Sequence, residues 1–463
     1  SVGEAVTPHS VNALLTITSV GSGTASLTSP LTVAITQTPG TAATPADYTL
    51  STPSVSFAAA AQSAATQPIS IAINNDAISE ADEDFDLGFG AVTGTGSAAG
   101  SHTVTITDND TPGITVTESD GNTTVVEGGL SDTYSVVLNS QPTTNVNVNI
   151  VFNPAQVALN GDSDGTLSLQ FTPALWNVAI PVTVTAVDDT VIEANPHSTL
   201  LVQSVTSGDL VYAAINPADV TVSIVENDTQ EISFALANSS VSETAGTHTV
   251  SARLNLVSNG TPGGTISADM TANVFLVLGS AEIADLSLAT AQLTFPAGSA
   301  HNSTLPIDLS LLNDRLLEGN ETGTLNLGLV GSLGSVSGSH VITVTDDETA
   351  TISFTAPSSA TSESAGTYAG ASGRMTISGS GSGLQAAEAN VSVAITDAAG
   401  TATAADYTRT TSSLLFAANA PSPVDQAISI NIANDVLIEN VEDFSLGFGA
   451  VSGAGTLSAA GTH

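Results

Sequence analysis

Asn75-Asp76-Ala77-Ile78-Ser79-Glu80-Ala81-Asp82-Glu83-Asp84-Phe85 is the stretch on which the reading of this chain turns. Its spacing is Asp, then Glu four residues on, then Glu three after that. It returns as Asp314, Glu318 and Glu321, and as Asp435, Glu439 and Glu442. A fourth version, Asp189 and Glu193, carries Pro196 at the last position. Alternating runs lead into it: Ile69-Ser70-Ile71-Ala72-Ile73, Val182-Thr183-Val184-Thr185 and Ile428-Ser429-Ile430-Asn431-Ile432. About a strand pair later a second acidic group closes the pattern: Asp108-Asn109-Asp110, Glu226-Asn227-Asp228 and Asp346-Asp347-Glu348. Elsewhere Thr, Val, Ser, Ile, Ala and Gly run in period-2 stretches broken by Gly, Pro, Asn and Asp, with no helical periodicity. That is the pattern of half-buried strands in an all-β sandwich.

The acidic marks give a repeat near 120 residues, and repeats decide architecture before local structure does. Asp110, Asp228 and Glu348 lie 118 and 120 apart; Glu4, Glu127, Glu243 and Glu363 lie 123, 116 and 120 apart. Four repeats are expected: 1–110, 111–228, 229–348 and 349–463. The first and fourth are near-duplicates offset by 359, as in Ala46-Asp47-Tyr48-Thr49 and Ala405-Asp406-Tyr407-Thr408. The first has no counterpart of Thr351-Ile352-Ser353-Phe354, and the fourth stops at the counterpart of His102. The first repeat is therefore expected to lack its opening strand and the fourth its closing one. A window in a longer tandem array is the simplest account. The rival is a strand donated by a neighbouring copy, since an open sheet edge otherwise invites aggregation.

Composition excludes several classes. Acidic residues outnumber basic ones 44 to 4, Lys is absent, and the net charge is −40. Phosphate backbones need clustered Lys and Arg, so nucleic acid is not an expected partner. Apolar residues make up 41% of the chain, enough for a core. There is no Cys, hence no disulfide, thiolate site or Cys nucleophile. No apolar run is long enough for a membrane-spanning helix. Gly-x-Ser-x-Gly, His-Glu-x-x-His and phosphate-loop motifs are all missing. Paired carboxylates do serve glycosidases, but a catalyst needs one site and this pattern recurs four times, so no enzyme is expected.

The early Glu, Ala-Asp-Tyr in a mid-repeat loop, the Phe before the next strand pair, Asp-x3-Glu-x2-Glu and the closing Asp-Asn-Asp together resemble Calx-β domains over the whole chain. Phe171-Thr172-Pro173-Ala174-Leu175-Trp176 in the second repeat is a run common in large bacterial surface proteins of this type. The resemblance implies tandem immunoglobulin-like antiparallel sandwiches, arranged as an extended rod, with calcium held in loops at one end of each. Carried over by position, the ligands in the first repeat would be Glu4, Asp47, Asp76, Glu80, Glu83, Asp108 and Asp110. In the third they would be Glu243, Asp285, Asp314, Glu318, Glu321, Asp346 and Asp347, although Ala284-Asp285-Leu286 lacks the Tyr. In the fourth they would be Glu363, Asp406, Asp435, Glu439 and Glu442. The second keeps Glu127, Asp188, Asp189, Glu193, Glu226 and Asp228, lacks the Asp-Tyr pair, and is expected to bind less.

Clustered carboxylates suit Ca2+, which takes six to eight oxygens at about 2.3–2.6 Å. The seven His show no ligand spacing, which argues against zinc. They are expected at the surface or at strand ends, and Trp176 and the Phe residues in cores. Asn160-Gly161-Asp162-Ser163-Asp164-Gly165 looks like the start of an EF-hand loop but has Phe171 where a bidentate Glu belongs, so it reads as a polar turn. The expected function is a calcium-stiffened structural segment of an extracellular bacterial fibre, filament or adhesin at the cell surface. Its partners would be calcium and neighbouring repeats or copies of itself. A receptor-type module for a protein or glycan is the alternative, with Asn273-Val274-Phe275-Leu276-Val277-Leu278 as its best candidate surface unless that run is a buried strand.

Overall fold

The computed structural model describes residues 1–282 and 285–463; Ala284 of the third repeat's Ala-Asp-Leu triplet lies outside them. The alternating sequence produces alternating burial. Leu31, Val33 and Ile35 are buried along Leu31–Pro39, and Ile69, Ile71 and Ile73 along Thr66–Ile73. Successive side chains of a strand leave on opposite faces, so each strand offers one apolar face to a core and one polar face outward.

The third repeat shows the plan most fully. One sheet runs Leu286–Leu288, Thr304–Leu311, Thr247–Ser258, Thr229–Phe234 and Ser335–Ser337. The other runs Asn238–Ser242, Ser339–Thr345, Glu321–Val330, Met270–Leu278 and Gln292–Phe295. Pairing is antiparallel except where Asn238–Ser242 meets Ser339–Thr345, and Thr229–Phe234 meets Ser335–Ser337, both in parallel. Ile232, Leu254, Phe295, Ile307, Leu309, Leu325 and Ile342 fill the space between the sheets.

The chain divides into two compact units, residues 1–188 with 196–225, and residues 189–195 with 226–463. In the first unit, the first repeat pairs a five-stranded sheet with a three-stranded one, His9–Leu14, Thr66–Ile73 and Tyr48–Leu50. Tyr48 and Phe85 stack in its core, centroids 3.5 Å apart. The second repeat has a five-stranded and a four-stranded sheet around Tyr134, Val148, Phe171 and Ile224. In the second unit, the fourth repeat pairs a five-stranded sheet with a three-stranded one, Ser413–Phe416, Val391–Ala399 and Phe444–Ser452. Tyr407 stacks on Phe444 there, at 3.8 Å.

Three details refine the expectation. A helical turn, Leu210–Ala213, is started by Asp209, whose side chain accepts from the Val211 and Tyr212 N–H groups. This is ordinary N-capping, and Tyr212 buries its ring and donates its hydroxyl to Ser140 O at 2.6 Å. His340 stands at a strand end, as second residue of Ser339–Thr345, but is buried there. It is 1% exposed, bonded to Ser239 Oγ and Leu236 O, and tilted against the Phe234 ring; burial is tolerated because both ring nitrogens are satisfied. Met270–Leu278 is buried on one face only, leaving Phe275 51% and Val277 56% exposed. Trp176 packs part-buried against the second core. Asn160–Gly165 is the polar turn expected: Asp162 and Asp164 accept backbone N–H bonds from Asp164 and Thr166.

The Asp-x3-Glu loop also does something the sequence did not announce, reaching into the following repeat. Ile78 bridges Gln141 in parallel, and the Gln141 N–H donates to Ala77 O. Val191–Ile192 pairs in parallel with Thr265–Ile266, and Leu316–Leu317 with Ala386–Ala387. Ile192 is 2% exposed within the third repeat's core, and Leu317 is 1% exposed within the fourth's. The corresponding Leu437 and Ile438 of the fourth repeat are exposed.

Candidate metal centres

The four acidic loops share one wiring. The leading Asp accepts the N–H two residues ahead, in a tight Asx turn: Asp76 from Ile78, Asp189 from Val191, Asp314 from Leu316 and Asp435 from Leu437, at 2.6–2.7 Å. The closing acid then clamps the loop. In the first repeat Asp108 accepts from the Glu80 and Asp110 N–H groups, both at 2.9 Å. In the third, Asp346 accepts from Glu318 and Glu348, at 3.0 and 2.8 Å. In the second, Glu226 does the same for Glu193 and Asp228, at 3.0 and 2.9 Å. The middle of the first, third and fourth repeats adds another acid. Asp47, Asp285 and Asp406 each accept a backbone N–H within their own loop, from Ala43, Glu282 and Thr403 respectively.

This framework sets carboxylates against one another. One oxygen each of Glu4, Asp108 and Asp110 lie within 4.8 Å of one another; so do oxygens of Asp47, Glu80 and Glu83. In the third repeat Glu243, Asp347 and Glu348 form one such group, and Asp285, Glu318 and Glu321 another. Glu348 is therefore a site residue that the ligand list above stops short of. It holds the place of Asp110 and Asp228, and that spacing was its signal.

Several of these oxygens are buried with no hydrogen-bond partner among the described residues: Glu4 Oε2, Asp110 Oδ2, Asp228 Oδ2, Glu321 Oε2, Asp347 Oδ1 and both oxygens of Glu348. A buried carboxylate without a partner is costly, and like charges close by add to the cost. Burial, followed by the charges of Asp76 and Asp108, raises Glu4 to about 7. Burial and then the bond to Asp47 raise Glu83 to about 7. Burial, Glu321 and Asp285 raise Glu318 to about 8. Burial, and after it the adjoining carboxyls of Asp346 and Glu243, raise Glu348 to about 9. Basic groups are few, and Arg374 and Arg409 are engaged elsewhere, with Asp425 and Asp397 at 2.7 and 2.8 Å. An all-oxygen donor set with unsatisfied buried oxygens fits a hard divalent cation such as Ca2+.

The second and fourth repeats depart from this. At the place of Asp47, Asp285 and Asp406, the second has Gln156. All four carbonyls accept the same downstream N–H: Asn74, Val187, Leu312 and Ala433. Gln156 Oε1 meets His197 Nε2 at 2.6 Å, where the first repeat sets Asp47 against Glu83. Pro154-Ala155-Gln156-Val157 against Pro45-Ala46-Asp47-Tyr48 is the sequence signal for it. Glu127 is buried and its N–H donates to Val225 O; Asp188 is exposed, next to Asp189. In the fourth repeat Glu363, Asp435, Glu439 and Glu442 are exposed, with only Asp406 half-buried.

The fold and these centres define a class: tandem antiparallel β-sandwiches whose loops gather carboxylates at corresponding places. The chain belongs to the Calx-beta domain family, whose model matches residues 13–110, 111–228, 226–357 and 345–456. Solved structures similar to it include CBD12 from CALX1.2, at 20% identity and TM-score 0.22, covering 48% of this chain and 80% of that one. The apo form of the Calx CBD1 domain matches at 18% identity and TM-score 0.22, covering 26% and 98%. The calcium binding domain CBD12 of CALX1.1 matches at 14% identity and TM-score 0.20, covering 49% and 99%. No curated protein sequence matches the chain. Among the described residues no helix is long and apolar enough to cross a membrane.

Proposed function

We propose that this chain is a calcium-binding structural segment of an extracellular bacterial surface fibre or large adhesin, a spacer and not a catalyst. The observation that carries the reading is the set of buried, unpartnered carboxyl oxygens facing one another in the first and third repeats. Bound calcium would supply the positive charge these oxygens lack. Glu4, Asp108 and Asp110, with Asp47, Glu80 and Glu83, would hold it in the first repeat. Glu243, Asp347 and Glu348, with Asp285, Glu318 and Glu321, would hold it in the third. A net charge of −40 supports a cation-dependent chain, because self-repulsion opposes compactness. Millimolar calcium outside cells would fill even modest sites.

The test is a thermal melt of the chain in calcium and in excess chelator. Calcium should raise the melting temperature, and Glu348→Gln should cut that rise while leaving the chelated melt no lower. Equal melts in both conditions would reduce the clusters to surface charge. Exposed Phe275 and Val277 favour the second reading, a protein- or glycan-binding module. Phe275 nevertheless has a packing role. It lies across Gly328 of the adjacent strand, where a Cβ would come within 2.7 Å of Phe275 Cε2, and an aromatic ring covering a strand glycine is a packing device.

A further inference from the structure

The third repeat's second acidic group, Asp285, Glu318 and Glu321, sits beside the joint with the fourth. Leu316 and Leu317 pair in parallel with Ala386 and Ala387, and the Glu388 N–H donates to Leu317 O at 3.1 Å. Leu317, Ala386 and Ala387 are each 1% exposed or less, so the register at this point is fixed by packing. It sets the backbone of Glu388 alongside the last residue before Glu318. The charge of Glu388 is among the neighbours felt by both Glu318 and Glu321. Glu321 is 8% exposed, and its Oε2 has no hydrogen-bond partner among the described residues.

Corresponding positions at the other joints carry no charge. Ile78 opposite Gln141 puts Thr143 there, whose N–H and hydroxyl both donate to Asp209. Ile192 opposite Ile266 puts Ser267 there, whose N–H and hydroxyl both donate to Ile192 O. Of the three, Glu388 alone is anionic, and the strand register places it next to the group that contains a buried, unpartnered carboxylate oxygen. We propose that Glu388 is a ligand that the fourth repeat supplies to the divalent-cation site of the third, so that this one site spans the joint. The inference rests on the calcium reading above and adds a donor from outside the repeat.

The test uses the full 463-residue chain and calcium alone as the probe. Calcium titration calorimetry on the parent and on Glu388→Gln should show one class of sites weakened about tenfold, since ligand charge count tunes such sites. Amide exchange at Ala386, Ala387 and Glu388 should slow with calcium in the parent and much less in the variant. Glu388 is exposed, so the substitution leaves the fold intact, and Glu388→Asp should recover part of the loss. Parent and Glu388→Gln isotherms that coincide while both take up calcium would overturn this inference and spare the broader reading. A parent that takes up no calcium would overturn both.

Discussion

At the scale of single residues, the chain concentrates cost where it concentrates charge. Glu4, Glu83, Glu243, Glu318, Glu321 and Glu348 are all raised, chiefly by burial, to about 7, 7, 7, 8, 7 and 9. A carboxyl whose folded-state value exceeds its unfolded one near 4.5 stabilises the fold below that value. The contribution is lost as pH rises through the folded value. In chelator the melting temperature should therefore fall from pH 5 to pH 9. Calcium competes with those protons for the same oxygens, so the rise it produces should grow over the same interval. A chelated melt that is flat from pH 5 to 9 would contradict the burial of these groups. Most of the residues were legible in the sequence, because a spacing repeated four times is hard to produce by surface chance. Gln156 shows only when Pro154-Ala155-Gln156-Val157 is set against Pro45-Ala46-Asp47-Tyr48, and His197, which meets it from a distant strand, leaves no mark in the spacing. Glu388 was invisible for a different reason, since it approaches the third group from the next repeat.

At the scale of elements, period-2 alternation foretold the strands, and Gly, Pro, Asn and Asp their ends. It could not foretell that the Asp-x3-Glu loop pairs with the following repeat. A two-residue parallel bridge such as Leu316–Leu317 with Ala386–Ala387 is too short to leave a periodic mark. Gly381 makes room at this joint. It has φ +123°, and a Cβ there would lie 1.8 Å from Asp314 O. Leu317→Ala removes a side chain that belongs in sequence to the third repeat and in space to the fourth repeat's core. The expected loss is about 2–5 kcal/mol, read in denaturant unfolding and in faster amide exchange along Thr349–Phe354 and Val391–Ala399. Faster exchange confined to the third repeat's strands would refute that placement.

At the scale of the molecule, a chain with 44 acidic and 4 basic residues holds together against its own field. If cations occupy the loops, scattering profiles in calcium and in chelator should differ, with a longer, stiffer particle in calcium; superimposable profiles would remove the mechanical role. The shared bridges also govern how the array can be taken apart. Excising the fourth repeat at Thr349 leaves Leu317 behind and opens a leucine-sized hole in the piece recovered. A cut near Asn313 lets the fragment carry its own plug. This joint therefore acts as an overlapping tongue, and a clean exchange of the fourth repeat by recombination is expected only when the breakpoint falls upstream of the acidic loop.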